Sequence, residues 1–411
     1  MFDKNLFPVL KNNSDLIYLD SASTTLKPQN VIDAEVEFLI KNGANPHTDA
    51  FENAIIATEM IEKTRKTIAN FIGVTNANEI VLTSGTTMSI NQIAYGLKHL
   101  LQPGDEILIT DLEHTANLLP WMVVAKETGA IIKNLILDSL TMGVDPYQLD
   151  KVITDKTKIV AFAHATNTIG YLNDVQLIAE KIKQINAKII IAIDAAQSIA
   201  HCPINLQTWD IDFLAFSAHK IYGPFGVGVL WGKMAWLQQM PPLVYGGGMS
   251  KNITDDYQTY QLADVPFKFE AGTQNPPAIQ GFGEAITWMS KIGMEQIHQY
   301  ETELKQYAVA QIKKLGLEAQ IDFYNLNNLA PILTFNVKGW NGQDVANYLD
   351  AKHHIAVRMG EHCARLTGKV YAQNSLRASF GIYTTKADID ILLKALTKQD
   401  EFLDIYFNEV T

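Results

Sequence analysis

Seven short apolar or β-branched runs constrain this chain more than any other feature. They are EIVLT at 79–83, EILIT at 106–110, AIIKNLI at 130–136, KIVAFA at 158–163, KIIIAID at 188–194, DFLAFS at 212–217 and GVGVLW at 226–231. Most are separated by segments long enough for a helix, which is what a crossover between parallel strands requires. A run as unbroken as KIIIAID is covered on both faces, as strands of parallel sheets are. The pattern predicts an α/β fold built on a seven-stranded, mostly parallel sheet. Only a short connection joins the last two runs, too short for a helical crossover, so the final strand is expected to be antiparallel. Two segments between about 31 and 72 carry helical spacing and read as surface helices.

After about residue 275 the rhythm changes to long helices (Pro277 to Gly293, Met294 to Leu315), then PILTFNV and a short helix near Asp344 to Lys352. This predicts a large domain over 31–275 and a smaller α+β domain formed by 1–30 and 276–411, with the strand-like IYLD returning to the latter. A length of 411 residues, 47 % apolar and 19 % charged, leaves room for such cores and excludes a disordered chain. The net charge of −11 excludes chain-wide attraction to nucleic acid or to an anionic membrane. No apolar run approaches the roughly 18 residues that span a bilayer. The two cysteines, Cys202 and Cys363, stand too far apart for a CxxC zinc or redox motif. No metal site is read, and a reducing, cytoplasmic setting is expected.

Open α/β sheets bind ligands at the C-terminal ends of their strands, so the polar residues there carry the chemistry. EIVLTS leads into Gly85-Thr86-Thr87 and a helical run. Free backbone N–H groups, hydroxyls and a helix dipole at such a turn suit an anion, typically a phosphate, although a plain N-cap has the same pattern. His114 follows EILIT by a few residues and gains meaning only beside a flat aromatic ligand on which it can stack. Asp194 ends a wholly apolar strand, where an ionised acid needs a cation or a strong donor. Lys220 follows DFLAFS directly, in Ser217-Ala218-His219-Lys220. Desolvation there favours a nucleophilic, Schiff-base lysine over a solvated one. One ligand uses all of these groups: pyridoxal phosphate needs a lysine, a carboxylate for its ring nitrogen and donors for its phosphate.

The segments YLDSAST, SGTTMSIN, EHTANLLPW, AIDAAQS, FSAHKIYGPFGVGVLWGK, FEAGTQN, VRMGEHCA and LRASFGIY occur in that order. Together they resemble the cysteine desulfurases of the class V aminotransferase group, in the SufS-like branch, with the fold-type I pyridoxal phosphate architecture. The resemblance runs over nearly the whole chain. It implies that Lys220 binds the cofactor covalently and later moves protons, that Asp194 holds the ring nitrogen, that Gln197 meets the phenolic oxygen and that His114 stacks on the ring. Thr86, Thr87, Ser217 and His219 are implied for the phosphate, with Thr273 reaching across from the second subunit of a homodimer. Asn167 and Arg377 are implied for orienting L-cysteine, Arg377 as a fork on its carboxylate. Cys363 is implied as the acceptor of sulfur, giving an enzyme persulfide and L-alanine for iron–sulfur cluster assembly or other sulfur transfer.

The chemistry supports that last role. A thiolate is the form that attacks sulfur, and Arg358, His362 and Arg365 are cationic candidates to favour it, with Arg358 also near the substrate. Cys202, beside an apolar run, reads as structural. Several residues depart from the branch: Glu361 stands where GHHCA has its first His and places a negative charge near Cys363. The segment after Cys363 lacks the usual proline-leucine, and NPHTDAFENA replaces an RGIHxLS-like stretch. The short spacing from Cys363 to Arg377 implies reliance on a docked sulfur-acceptor or scaffold protein. The competing readings are a selenocysteine lyase or other class V lyase or aminotransferase, and a non-catalytic interaction protein that keeps the fold.

Overall fold

The computed structural model describes residues 3–364 and 374–407. Its strands in chain order are β1 Ile17–Tyr18, β2 Ile80–Thr83, β3 Glu106–Ile109, β4 Ile131–Asn134, β5 Thr157–Ala163, β6 Ile190–Asp194, β7 Phe213–Ser217 and β8 Gly228–Gly232. They continue with β9 Ser250–Ile253, β10 Tyr260–Leu262, β11 Ile321–Phe323, β12 Ile332–Val337, β13 Ile355–Ala356, β14 Arg358–Gly360 and β15 Ser375–Ser379.

Each of the seven apolar runs forms a strand of one sheet, in the order β2-β8-β7-β6-β5-β3-β4. The neighbours from β7 through β4 are parallel, and β8 is antiparallel to both β7 and β2, as its short connection demands. β6 and β7 are buried along their whole length, with one apolar cluster around Ile191, Leu214 and Phe216 on one face and another around Ile190, Ala192 and Phe213 on the other. That two-sided burial explains their lack of alternation.

β8 reaches its place beside β2 by a close backbone approach. A Cβ on Gly228 would lie 2.4 Å from the Cα of Gly85, so only glycine fits there. The contact fixes the turn from which the helix Thr86–Leu97 starts.

A buried ion pair locks this edge. Arg65, on the helix Glu52–Phe71, sends Nη1 and Nη2 to the two carboxylate oxygens of Glu270 at 2.7 and 3.0 Å. The Leu82 N–H donates to the same carboxylate at 2.7 Å, and Arg65 Nη1 also donates to the Ile80 carbonyl at 2.7 Å. Both side chains are excluded from water, so removing the Glu270 charge leaves buried Arg65 only the partly exposed Glu62, 3.3 Å from its Nε. Glu270→Gln is expected to destabilise the protein by about 3–5 kcal/mol, read as a drop of several degrees in melting temperature. An unchanged melting temperature would show that the pair is dispensable.

A second, antiparallel sheet has the order β11-β12-β15-β14, under its own apolar cluster of Leu333, Phe335, Tyr348, Leu376 and Leu392. Two N-terminal contacts cross to this region: β1 pairs in parallel with β13, and Asp20 bridges to Ser379 at the end of β15. These contacts carry the Asp20 side chain to the second sheet. Among the described residues no helix is long and apolar enough to cross a membrane.

Candidate active site

The C-terminal ends of β2, β3, β5, β6 and β7 converge on a cavity of about 290 Å³. Thr86, Thr87, His114, Asn167, Asp194, Gln197, Ser217, His219 and Lys220, all singled out in the sequence, line it together with Arg358, Cys363 and Arg377.

Gly85 has a φ of 154°, which opens the turn, and Thr86 begins the helix that follows. Ser217 Oγ accepts from the Thr86 N–H and lies 2.7 Å from Thr86 Oγ1, joining the end of β7 to the helix start. Beside them the His219 ring is stacked on Phe225 at 5.5 Å. Its Nδ1 is buried with no hydrogen-bond partner among the described residues. Burial and the charges of Lys220 and Lys27 lower the His219 pKa to about 4, so this ring is neutral at physiological pH.

Asp194 spends one carboxylate oxygen on the Ala196 N–H at 2.8 Å. Burial raises its pKa, while that N–H and the nearby Lys220 hold it down. Its other oxygen meets no donor among the described residues. Lys220 Nζ likewise donates no hydrogen bond among the described residues, and its pKa falls to about 8. Burial is the largest cause, with Arg377 adding to it and Asp194 opposing. The result is an amine that is partly unprotonated near neutrality.

His114 accepts the Ala116 N–H on Nδ1 at 3.1 Å, so the hydrogen-bond network assigns its proton to Nε2. Burial, then Lys220 and Arg377, lower its pKa to about 4, leaving an uncharged ring suited to stacking. Glu113, next in the chain, is fully buried. It accepts from Thr110 Oγ1 and Asn117 Nδ2, both at 2.6 Å, and from the Ala163 N–H at 3.1 Å. Burial pushes its pKa to about 7 despite these donors.

Arg377 and Arg358 face each other across β15 and β14. Like charges in that position repel, and Asp20, which sequence reasoning left without a role, resolves the conflict. Its Oδ1 takes Arg377 Nη2 at 3.2 Å and its Oδ2 takes Arg358 Nη2 at 2.9 Å. Ser23 Oγ accepts from Arg377 Nη2 at 2.7 Å and the Asn167 carbonyl from Nη1 at 2.9 Å, while Nε is buried without a partner among the described residues. An acid just past the strand-like IYL was the available signal for Asp20. Arg358 is therefore an ion-pair partner of Asp20 at the cavity rim, half exposed.

Cys363 is exposed and lines both this cavity and a neighbouring one of about 840 Å³. The expectation that His362 lends it positive charge is corrected by burial, which with Arg377 lowers the His362 pKa to about 3. His362 is neutral, with Nε2 3.1 Å from Ser375 Oγ. Arg365, the third cationic candidate, lies outside the described residues. Cys202 is buried, donates to the Ser198 carbonyl and is pushed up to about 12 by burial and Glu301, which fits a structural thiol. Thr273 does not line the cavity of its own chain; it sits in another of about 320 Å³ beside Gly226 and Asn275.

These groups fit pyridoxal phosphate. A helix start with two threonines and Ser217 suits its phosphate, and among the described residues Asp194 keeps one oxygen for its ring nitrogen and Lys220 is an amine with no competing acceptor.

The class-V aminotransferase family model matches residues 17–392. A probable cysteine desulfurase of Ureaplasma parvum is 40 % identical over 96 % of each chain. The cysteine desulfurase of Yersinia pseudotuberculosis is 37 % identical over 97 % of each. Among solved structures, the cysteine desulfurase of Thermococcus onnurineus superposes with a TM-score of 0.89 at 32 % identity, covering 98 % of this chain and 97 % of the other. The cysteine desulfurase CsdA of Escherichia coli, with an S-sulfonic acid, gives 0.87 at 33 % identity, covering 98 % and 99 %. The chain belongs to the class-V aminotransferase family, with the cysteine desulfurases.

Proposed function

We propose that this protein removes sulfur from L-cysteine, leaving L-alanine and a persulfide on Cys363. The observation that carries this reading is that Cys363, Lys220 and Arg377 line one cavity. Pyridoxal phosphate, held by Thr86, Thr87, Ser217, His219, Asp194 and Gln197, supplies an electron sink at the substrate α-carbon. Arg377 takes the substrate carboxylate, with Asp20 and Ser23 fixing the plane of its guanidinium. Lys220 removes the α-proton and returns a proton to carbon. The Cys363 thiolate attacks the substrate sulfur; the new S–S bond forms as the C–S bond breaks, and its electron pair stays on the substrate carbon, which is then protonated. Neutral His114 covers the ring face, and Asn167 holds the Cys363 segment through the His362 carbonyl at 2.6 Å.

Several further readings belong with this one. The chain acts in the cytoplasm as a homodimer, with Thr273 completing the partner's phosphate site, and passes sulfur to an acceptor or iron–sulfur scaffold protein. It belongs to the SufS-like branch, and its domains divide at 31–275 against 1–30 with 276–411. The test is cysteine turnover with mass analysis: Cys363 should gain one sulfur, and a persulfide found elsewhere, or none, would overturn the assignment.

The amine chemistry has its own check. Because Lys220 titrates near 8 rather than 10.5, the unprotonated fraction rises about tenfold per pH unit below 8 and then levels off. In protein stripped of cofactor, borohydride-trapped labelling of Lys220 by pyridoxal phosphate should follow that curve. A rate still climbing at pH 9.5 would mark an ordinary lysine.

A further inference from the structure

We infer that Thr115 is a positioning residue that holds Cys363 at the boundary between the two cavities it lines. The inference rests on Cys363 being the sulfur acceptor. His362 and Cys363 both adopt left-handed backbone conformations, with φ of 51° and 56°. Neither is glycine, so each is held in a region that such residues enter only under constraint from their surroundings. The constraints are visible. The Thr115 N–H and Oγ1–H both donate to the Cys363 carbonyl, the former at 2.8 Å, and Asn167 Nδ2 donates to the His362 carbonyl at 2.6 Å.

The cysteine so held faces two spaces. On one side is the cavity with Lys220 and Arg377; on the other is the larger cavity walled by Tyr95, Leu119, Val123 and Leu243. Thr115 and Cys363 both line that larger one. A clamp on the carbonyl fixes the backbone and leaves the thiol free to turn about its Cα–Cβ bond. The same residue then takes sulfur on the inner side and presents it on the outer side, without moving its main chain. Thr115 also follows His114 directly, and His114 caps the 3-10 turn Thr115–Asn117 that Thr115 begins.

The experiment uses holoenzyme. Thr115→Val keeps the shape and the backbone donor but deletes the hydroxyl. It should raise the rate of Cys363 alkylation by iodoacetamide about fivefold, the worth of one ordinary hydrogen bond, and slow single-turnover persulfide formation by a similar factor. The KM for cysteine and the cofactor absorbance should stay as they are, and Thr115→Ser should restore both rates. Unchanged alkylation in Thr115→Val, or a KM that rises with no change in the single-turnover rate, would overturn the inference. Failure of the underlying assignment looks different, since Cys363→Ala would then keep its activity.

Discussion

Lys220→Ala is expected to lose at least about a thousandfold in cysteine turnover while remaining folded and able to take up cofactor. The side chain sits in the cavity at the end of β7, on the turn Ala218–Lys220, and not in the apolar layers of the sheet. Its deletion enlarges a polar space and creates no void in the core. Positioned proton transfer alone contributes about 10²–10⁴ in rate, and Lys220 is the amine beside Asp194 whose pKa suits that task. Cofactor should still enter through Thr86, Thr87, Ser217 and Asp194, but borohydride should no longer fix it to the chain. Turnover within tenfold of the parent would assign the proton transfer to another group, and Lys220→Arg tests whether charge without an unprotonated amine suffices.

Cys363→Ala should remove alanine and sulfide formation from cysteine and leave cofactor binding unaltered. A well-oriented intramolecular group acts at an effective concentration of about 10⁵ M or more, so millimolar free thiol cannot replace the missing nucleophile. Deleting an exposed side chain at the cavity boundary should hardly affect stability. The same variant separates the competing readings. A lyase or selenocysteine lyase using Lys220, Asp194 and Arg377 without a thiol would keep working, and a protein that only docks partners would take up no cofactor in either form.

The fold was unusually legible because both sides of the main sheet are covered. Strands such as β6 and β7 have no solvent face, so their apolar runs stand out from the helices around them. What no run predicts is the lateral order, for instance that β8 inserts between β2 and β7, since this depends on the Gly85–Gly228 approach between distant segments. At the site, residues at strand ends were readable from position: Asp194 ends a strand, and Thr86 and Lys220 each follow one. Asp20, Ser23 and Thr115 were not, because their roles exist only where separate elements meet. The neutral state of His362 was hidden for the same reason: its burial comes from the fold around it and not from its neighbours in the chain.

The Asp20–Arg358 pair joins residues 338 positions apart, and that separation bears on how the protein is made. A chain emerging from the ribosome at about 5–20 residues per second waits tens of seconds before Arg358 reaches Asp20. Until then β1 has no β13 to pair with. The seven strands of the main sheet are complete by residue 232, whereas Glu270, which holds Arg65 and the Leu82 N–H at the β2 edge, is made later. A nascent chain halted there would contain Asp194 at the end of β6 and Lys220 on the turn after β7 but lack Arg377 and Cys363. The strand-end residues proposed to hold the cofactor within one chain, from Thr86 to Lys220, are thus all made before the two, Arg377 and Cys363, proposed to act on cysteine.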